Sequence, residues 1–191
     1  MTTTFFTSES VGRGHPDKLS DQISDTVVDF ILAREPQSRV ACETMTSPGL
    51  VTLAGEIGAS DAAFSALKTA LPQLVAGAIV QAGFSDPRFG FDPTQVAITS
   101  HLHGQSAEIA NQVNRDDKAV GAGDQGIMFG YATSATPDGL PLPISLAHQL
   151  LKRLETLVDA GELPEVGPDT KSQVTVAYQG RDPSRVDTVV I

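Results

Sequence analysis

Strand-like runs in this sequence stand in adjacent pairs, and a short turn joins the two members of each pair. Residues 39–46 and 50–57 flank a Ser-Pro-Gly turn, and residues 171–178 and 186–191 lie on either side of Gly180. Adjacent runs of this kind are typical of antiparallel hairpins, whereas parallel strands need a long crossover between them. Strands and helices do not alternate regularly along the chain. We therefore expect an α+β fold with mixed, largely antiparallel sheets and helices packed on one face.

The segment 17–32 has the period of an amphipathic helix. Its apolar residues recur every four positions: Leu19, Ile23, Val27 and Ile31. Pro16 precedes them, and its fixed φ angle and missing N–H suit the first position of a helix. We therefore place Gly14 and His15 at the start of this helix, where backbone N–H groups favour anions.

Further elements follow from the same patterns. A second helix begins at Ser60 and runs to about residue 81, with Pro72 as a bend or a restart. A third helix begins at Pro143 and runs to about residue 159. Single strands are predicted at 95–102 and 127–132.

The hairpin register can be predicted from the apolar positions of its strands. Pairing even with odd numbers places the most apolar positions on one face: Val40, Cys42, Val51, Leu53 and Ile57. Glu43 and Glu56 then share the opposite face. The prediction requires a two- or four-residue connection, because three residues break the parity. Two carboxylates on one face either point to water, which is the usual arrangement, or have a cation or an ammonium group near them.

Composition excludes several classes of partner. A formal net charge of -10 in 191 residues repels nucleic acid and anionic lipid, and the basic residues form no cluster. The single cysteine, Cys42, excludes an intrachain disulfide and suits a reducing compartment. The first six residues lack the pattern of an export signal, and Pro72 and Gly77 interrupt the most apolar segment. We expect a cytoplasmic protein that binds neither membrane nor nucleic acid.

Two polar motifs are candidates for nucleotide binding, and only the first has a suitable structural context. The segment 14–18 reads Gly-His-Pro-Asp-Lys and places an imidazole, a carboxylate and an ammonium at a helix start. Phosphate suits that position, and Asp17 could hold Mg²⁺ beside it, although an acidic residue in a first turn commonly serves only the helix dipole. The segment 121–126 matches G-x-G-x-x-G, but a polar loop precedes it and a strand follows, which is the reverse of a dinucleotide site.

Six segments together resemble bacterial S-adenosylmethionine synthetase (methionine adenosyltransferase): 6–11, 14–18, 41–44, 55–57, 121–131 and 169–174. The resemblance runs over the whole chain but matches only about the N-terminal half of the family pattern. Missing are the later glycine-rich phosphate loop and the residues that clamp the triphosphate and a second Mg²⁺. Arg13 stands where the family usually has glutamate.

The resemblance implies a role for each matching residue. His15 and Lys171 would be catalytic and, with Asp169, would bind ATP. Glu56, Gln105 and Asp124 would bind methionine. The resemblance makes Asp17 a ligand of Mg²⁺ and Glu43 a ligand of K⁺. Residues 103–117 would form a gating loop, although composition alone describes a plain surface loop equally well.

The resemblance also implies an assembly. Family members are dimers or tetramers with active sites between subunits, so we expect a homodimer or a larger oligomer, with residues 1–120 as an N-terminal lobe and 121–191 as part of a central lobe. Three interpretations stay open: a subunit that works with a separate chain supplying the C-terminal half, a truncated inactive fragment, and an ATP- or methionine-binding regulatory module. The retained motifs argue against the module.

Overall fold

The computed structural model describes residues 2–105 and 126–191. In chain order, the helices and strands of these residues are β1 (Thr3–Val11), α1 (Pro16–Leu32), β2 (Arg39–Ser47), β3 (Leu50–Gly58), α2 (Asp61–Gln81), β4 (Ala97–Gly104), α3 (Leu142–Asp159), β5 (Lys171–Gln179) and β6 (Asp182–Val190). Within the described ranges the strands form two sheets, in the orders β1-β5-β6 and β2-β3-β4. Within these sheets, β3 and β4 are parallel, and the other strand pairs are antiparallel. The predicted α+β class is confirmed.

The chain divides into two compact units. The first unit comprises Met1–His15 and Met128–Ile191, and the second comprises Pro16–Ile127. Each unit has its own sheet and its own apolar core. The residues predicted to bind ATP belong to the first unit: His15, Asp169 and Lys171.

The core of the second unit forms between α1, α2 and one face of the β2-β3-β4 sheet. The apolar period of α1 is confirmed, because Leu19, Ile23, Val27 and Ile31 are its buried residues. Ser60 is the N-cap of α2, and its side chain accepts a hydrogen bond from the N–H of Ala63. The helix continues through Pro72 without a restart.

Among the described residues, α2 alone is long and apolar enough to cross a membrane by length and composition. Its residues Leu67, Leu71, Val75 and Ile79 are buried in the core of the second unit. A helix that is central to a core needs the same apolar composition. The core therefore accounts for the apolar character of α2.

The hairpin of β2 and β3 has the predicted register. Ser47 pairs with Leu50 across a two-residue turn, and Val40 pairs with Ile57. Gly49 has a φ angle of +72° in that turn, a conformation that glycine adopts without steric cost. Glu43 and Glu56 therefore share the face opposite the core, as predicted.

Strand β4 lies parallel to β3, with Leu50 opposite Ala97 and Ile57 opposite Gly104. A parallel pair requires a crossover, and the segment between these strands, which includes α2, provides it. The predicted strand 95–102 is confirmed two residues later along the chain.

The first unit is built on a strand that sequence patterns did not indicate. Strand β1 pairs antiparallel with β5 from Thr3 and Gln179 to Val11 and Lys171. Helix α3 packs on one face of this sheet, and Ala147, Val174 and Val176 form the buried centre of the contact. The hydroxyl of Ser10 lies 2.7 Å from Nδ1 of His148, which links β1 to α3.

The strand predicted at 127–132 is wrong. These residues adopt no regular structure, and Ile127 and Met128 are 80% and 95% exposed. None of the described strands pairs with them. Backbone N–H and C=O groups must be paired to hold a strand, so apolar composition alone does not create one here.

Replacing Leu67 by Ala should destabilise the second unit by about 2–5 kcal/mol, because the side chain is fully buried and its removal leaves a cavity. The matched control is Val80→Ala on the same helix, where the side chain is 52% exposed and the change should stay within about 0.5 kcal/mol. Urea unfolding followed by circular dichroism measures both. Equal losses in the two variants would contradict the described packing of α2.

Candidate functional site

The loop that follows β1 lies against the segment that precedes β5. The N–H of Gly12 donates to the carbonyl of Thr170 at 2.7 Å, and the N–H of Gly14 donates to the carbonyl of Pro168 at 3.1 Å. Val11 and Lys171 are the last pair of the β1–β5 ladder. The backbone that carries His15 is thus held beside the backbone that carries Asp169 and Lys171, although some 150 residues separate them in sequence.

Close packing explains the two glycines of this loop. A Cβ atom on Gly12 would lie 2.0 Å from Oγ1 of Thr170, and one on Gly14 would lie 2.6 Å from Cβ of Pro168. Neither distance is compatible with a side chain unless the loop moves. The glycines therefore permit the close approach of residues 12–15 to residues 168–170.

Lys171 has an acidic partner on the neighbouring strand. Its Nζ lies 2.6 Å from Oε2 of Glu9, and Nε2 of Gln173 donates to Oε1 of Glu9 at 2.7 Å. The side chains of Lys171 and Glu9 are both about half exposed, 51% and 45%. The hydrogen bond from Lys171, followed by that from Gln173, holds the pKa of Glu9 below its usual value.

The second unit gathers three of the other predicted residues on its sheet. Glu56 lies opposite Ala41 on β2 and opposite His103 on β4, and Glu43 lies opposite Ala54. The N–H of Gln105, just after β4, donates to the carbonyl of Ile57 at 3.0 Å. Gln105 therefore lies beside the end of β3 that carries Glu56.

The side chain of Gln105 lies over the backbone of β3. A Cβ atom added to Gly58 would lie 2.6 Å from Oε1 of Gln105. Gly58 thus leaves room for the Gln105 amide next to the strand that carries Glu56. The carboxylate and the amide provide an acceptor-rich end of the sheet, suited to an ammonium group.

Asp17 is an exposed residue in the first turn of α1. The start of this helix is tied to the end of β2, because Oγ1 of Thr46 donates to the carbonyl of Pro16 at 3.0 Å. The carboxylate therefore lies where the helix dipole favours negative charge. Asp124 and residues 106–117 of the predicted gating loop lie outside the described residues.

Comparison with known proteins decides the family. The model of the S-adenosylmethionine synthetase N-terminal domain matches residues 3–107, which is more than half of the chain. The chain belongs to the S-adenosylmethionine synthetase family. The model of the central domain of the same family matches residues 119–191.

Two relatives show how far the likeness to the synthetase family extends. The chain is 43% identical to the S-adenosylmethionine synthase of Roseiflexus castenholzii over 200 aligned positions, which cover 98% of this chain and 48% of that protein. It is 45% identical to the S-adenosylmethionine synthase of Corynebacterium glutamicum over 198 positions, covering 97% of this chain and 47% of that protein. The chain spans about half the length of the curated synthases that it matches.

Arg13 is the departure from the synthetase pattern noted in the sequence, and the structure gives it partners on α3. Its backbone N–H donates to Oε1 of Glu155 at 2.9 Å, and its Nη1 donates to Oδ2 of Asp159 at 3.0 Å. Its Nη2 also pairs with Oδ1 of Asp159. The hydrogen bond from Arg13 lowers the pKa of Asp159.

Sequence reasoning about this synthetase chain missed Glu9 and Asp159 as partners of site residues. Glu9 lies in one of the segments that carry the family resemblance, but β1 was not predicted as a strand, so its register with Lys171 could not be derived. Asp159 ends a predicted helix and gave no signal of its own. Both partners depend on contacts between segments that are far apart in the chain.

Replacing Lys171 by Met should raise the pKa of Glu9 toward its usual value, with the hydrogen bond from Gln173 keeping part of the depression. A depressed carboxyl pKa in the folded state contributes stability above the unfolded pKa, and that contribution is lost as the pH falls through the folded pKa. NMR titration of the Glu9 carboxyl carbon measures the shift. Lys152→Met, an exposed substitution on α3, should leave the pKa of Glu9 unchanged. An unchanged pKa in Lys171→Met would contradict the ion pair.

Proposed function

We propose that this chain forms the N-terminal part of a methionine adenosyltransferase. In that reaction the sulfur of L-methionine attacks C5′ of ATP, triphosphate leaves, and water cleaves the triphosphate to diphosphate and phosphate. The observation that carries the proposal is the packing of residues 12–15 against residues 168–170 in a member of this family. It holds the loop that carries His15 against the segment that leads into Asp169 and Lys171.

The phosphate side of the site follows from the demands of the reaction. A thioether is a weak nucleophile, so the site must align it with C5′ and stabilise the charge that develops on the leaving triphosphate. We assign His15 as the hydrogen-bond donor to the leaving-group oxygen and Lys171 as the cation beside the phosphates. Asp169, exposed next to Lys171, would hold the adenosine. Since Lys171 is paired with Glu9, a bound phosphate competes with that carboxylate for the ammonium group.

The methionine side is proposed on the second unit. Glu56 is carried by β3, and the amide oxygen of Gln105 lies beside Gly58 near the end of the same strand. A carboxylate and an amide oxygen at one end of a sheet suit the ammonium group of an amino acid. Asp124 joins them by resemblance to the family. This assignment would explain why Glu56 is half buried although it lies on the sheet face opposite the core.

Two cations are proposed with this site. The described residues contain no group of three or more His, Cys, Asp or Glu side chains that could hold a metal ion. Mg²⁺ commonly binds one or two carboxylates together with substrate phosphates and water, so the single exposed carboxylate of Asp17 fits that ion. Glu43, an exposed carboxylate on the sheet face, fits K⁺ as an oxygen donor. When bound, the cations supply neutralisation of phosphate and carboxylate charge.

The assembly and location are proposals of the same kind. We expect a homodimer or larger oligomer, with an N-terminal lobe at 1–120 and part of a central lobe at 121–191. The C-terminal half would come from a separate chain or from the continuation of this one. An assembly would cover the apolar side chains of β6, because Val186, Val189 and Val190 are about half exposed in the single chain. The net charge of -10 and the single Cys42 favour a cytoplasmic protein without nucleic-acid or membrane partners.

The decisive experiment measures S-adenosylmethionine formed from ATP, methionine, Mg²⁺ and K⁺. The chain alone should give no turnover, because it spans about half the length of the curated synthases. The family resemblance assigns a second phosphate clamp to the other half, and that clamp would stabilise the leaving triphosphate. Adding the C-terminal half, taken from the reading frame that continues or follows this one, should give activity. Activity of the chain alone would contradict the need for that half. No product from the assembled halves would contradict the proposed function.

In that active assembly, substitutions on the methionine side and on the phosphate side should weaken the binding of different ligands. Glu56→Ala should weaken methionine binding at least about tenfold, the loss expected for one hydrogen bond to a charged group, and leave ATP binding within about twofold. Lys171→Met should show the reverse selectivity. Glu162→Ala removes an exposed carboxylate outside both proposed sides and serves as the control. Calorimetry with methionine and a non-hydrolysable ATP analogue measures all three, and equal losses for both ligands in Glu56→Ala would remove it from the methionine side.

A further inference from the structure

Arg13 joins the loop of His15 to α3 through both its backbone and its side chain. The backbone N–H of Arg13 donates to Glu155, and its guanidinium forms a two-pronged ion pair with Asp159. Two parallel N–H to oxygen contacts fix the orientation of a guanidinium more closely than one contact does. The residue two positions before His15 is therefore held at two points on one helix.

Without Arg13, its two acidic partners on α3 would be in an unfavourable electrostatic environment. Glu155 and Asp159 are four residues apart, so they lie on the same side of α3. Asp159 is also the last residue of the helix, where the dipole disfavours negative charge, and the last turn contains no basic residue. Arg13 supplies the positive charge that this helix end lacks.

The loop is held from its other side by residues 168–170. Gly12 and Gly14 donate to the carbonyls of Thr170 and Pro168, and Arg13 lines a cavity of about 10 Å³ together with Pro168, Leu154 and Val158. A cavity of that size is at the lower limit for holding one water molecule, so the packing around Arg13 is close. Residues 12–15 thus lie between the end of α3 and the start of β5, with Arg13 as the contact to the helix.

We propose that Arg13 is a positioning residue that sets the place of His15 through its ion pair with Asp159. The inference rests on the proposed function, because His15 is the residue assigned to the leaving group. Arg13 contacts α3, and in this proposal it acts on the reaction through His15. The pair is partly exposed, with side-chain exposures of 31% for Arg13 and 55% for Asp159, and such pairs contribute little to global stability. Its loss should therefore affect the loop far more than the fold.

The test compares Arg13→Gln and Asp159→Asn with the control Arg153→Gln. The control removes one positive charge from an exposed position on the same helix. In the active assembly, Arg13→Gln and Asp159→Asn should lower kcat at least about tenfold, since a displacement of about 1 Å can reduce turnover a hundredfold. The KM for methionine and the melting temperature should stay close to those of the unaltered enzyme and of Arg153→Gln.

A reversed pair separates positioning from simple stabilisation. Arg13→Glu alone should be the least active variant, because it places a carboxylate beside Asp159 and Glu155. Combining it with Asp159→Lys restores an opposite charge at the same position and should recover at least about threefold in kcat over Arg13→Glu, a partial recovery because Glu155 stays in place. A fall in kcat that follows the melting temperature in every variant, with no recovery in the reversed pair, would overturn the proposal.

Amide hydrogen exchange distinguishes failure of this inference from failure of the proposed function. In the chain with its C-terminal half, the Gly12 and Gly14 amides should exchange at least about tenfold faster in Arg13→Gln, because their hydrogen bonds depend on the position of the loop. The control Arg153→Gln should leave them unchanged. Faster exchange in an assembly that never forms S-adenosylmethionine would refute the proposed function and support the anchoring role of Arg13. Unchanged exchange and unchanged kcat in Arg13→Gln would overturn the inference alone.

Discussion

The pairing of β1 with β5 is the interaction on which the first unit depends. It joins strands that are about 160 residues apart in sequence, and its register ends with Val11 opposite Lys171. That register decides which residues follow on each side, so the loop of His15 is placed against the segment of Asp169. A slip of one residue would turn Lys171 to the other face of the sheet and separate it from Glu9. The relative positions of the candidate ATP-binding residues therefore depend on the register of β1 with β5.

Charge is balanced locally around this loop although the chain as a whole is acidic. The net charge is -10, yet Lys171 and Arg13 each have a carboxylate partner within the first unit, Glu9 and Asp159. These pairs hold long, flexible cationic side chains in defined places, at the expense of some positive potential. Lys171 and Arg13 have different proposed roles toward an anionic ligand. In the proposed site Lys171 would exchange Glu9 for phosphate, whereas Arg13 joins the loop to the end of α3.

In the second unit, the proposed methionine-binding residues are brought to one sheet by a different topology. The β2-β3 hairpin is local, so its two-residue turn places Glu43 and Glu56 on one face without help from the rest of the chain. Gln105 arrives there by a long connection, because β4 returns parallel to β3 after α2. The absence of a side chain at Gly58 then leaves space for the Gln105 amide. Local and long-range contacts thus contribute separate members of the proposed methionine side.

The sequence by itself determined the elements whose information is local. The four-residue period and Pro16 predict α1, the parity of the hairpin predicts the shared face of Glu43 and Glu56, and the short motifs identify the family. Tertiary structure alone decided the existence of β1, the irregular conformation of 127–132, and the partners of Lys171 and Arg13. A strand is held by hydrogen bonds to another strand, and an ion pair by a neighbour in space, so neither can be derived from a segment whose partner lies far along the chain.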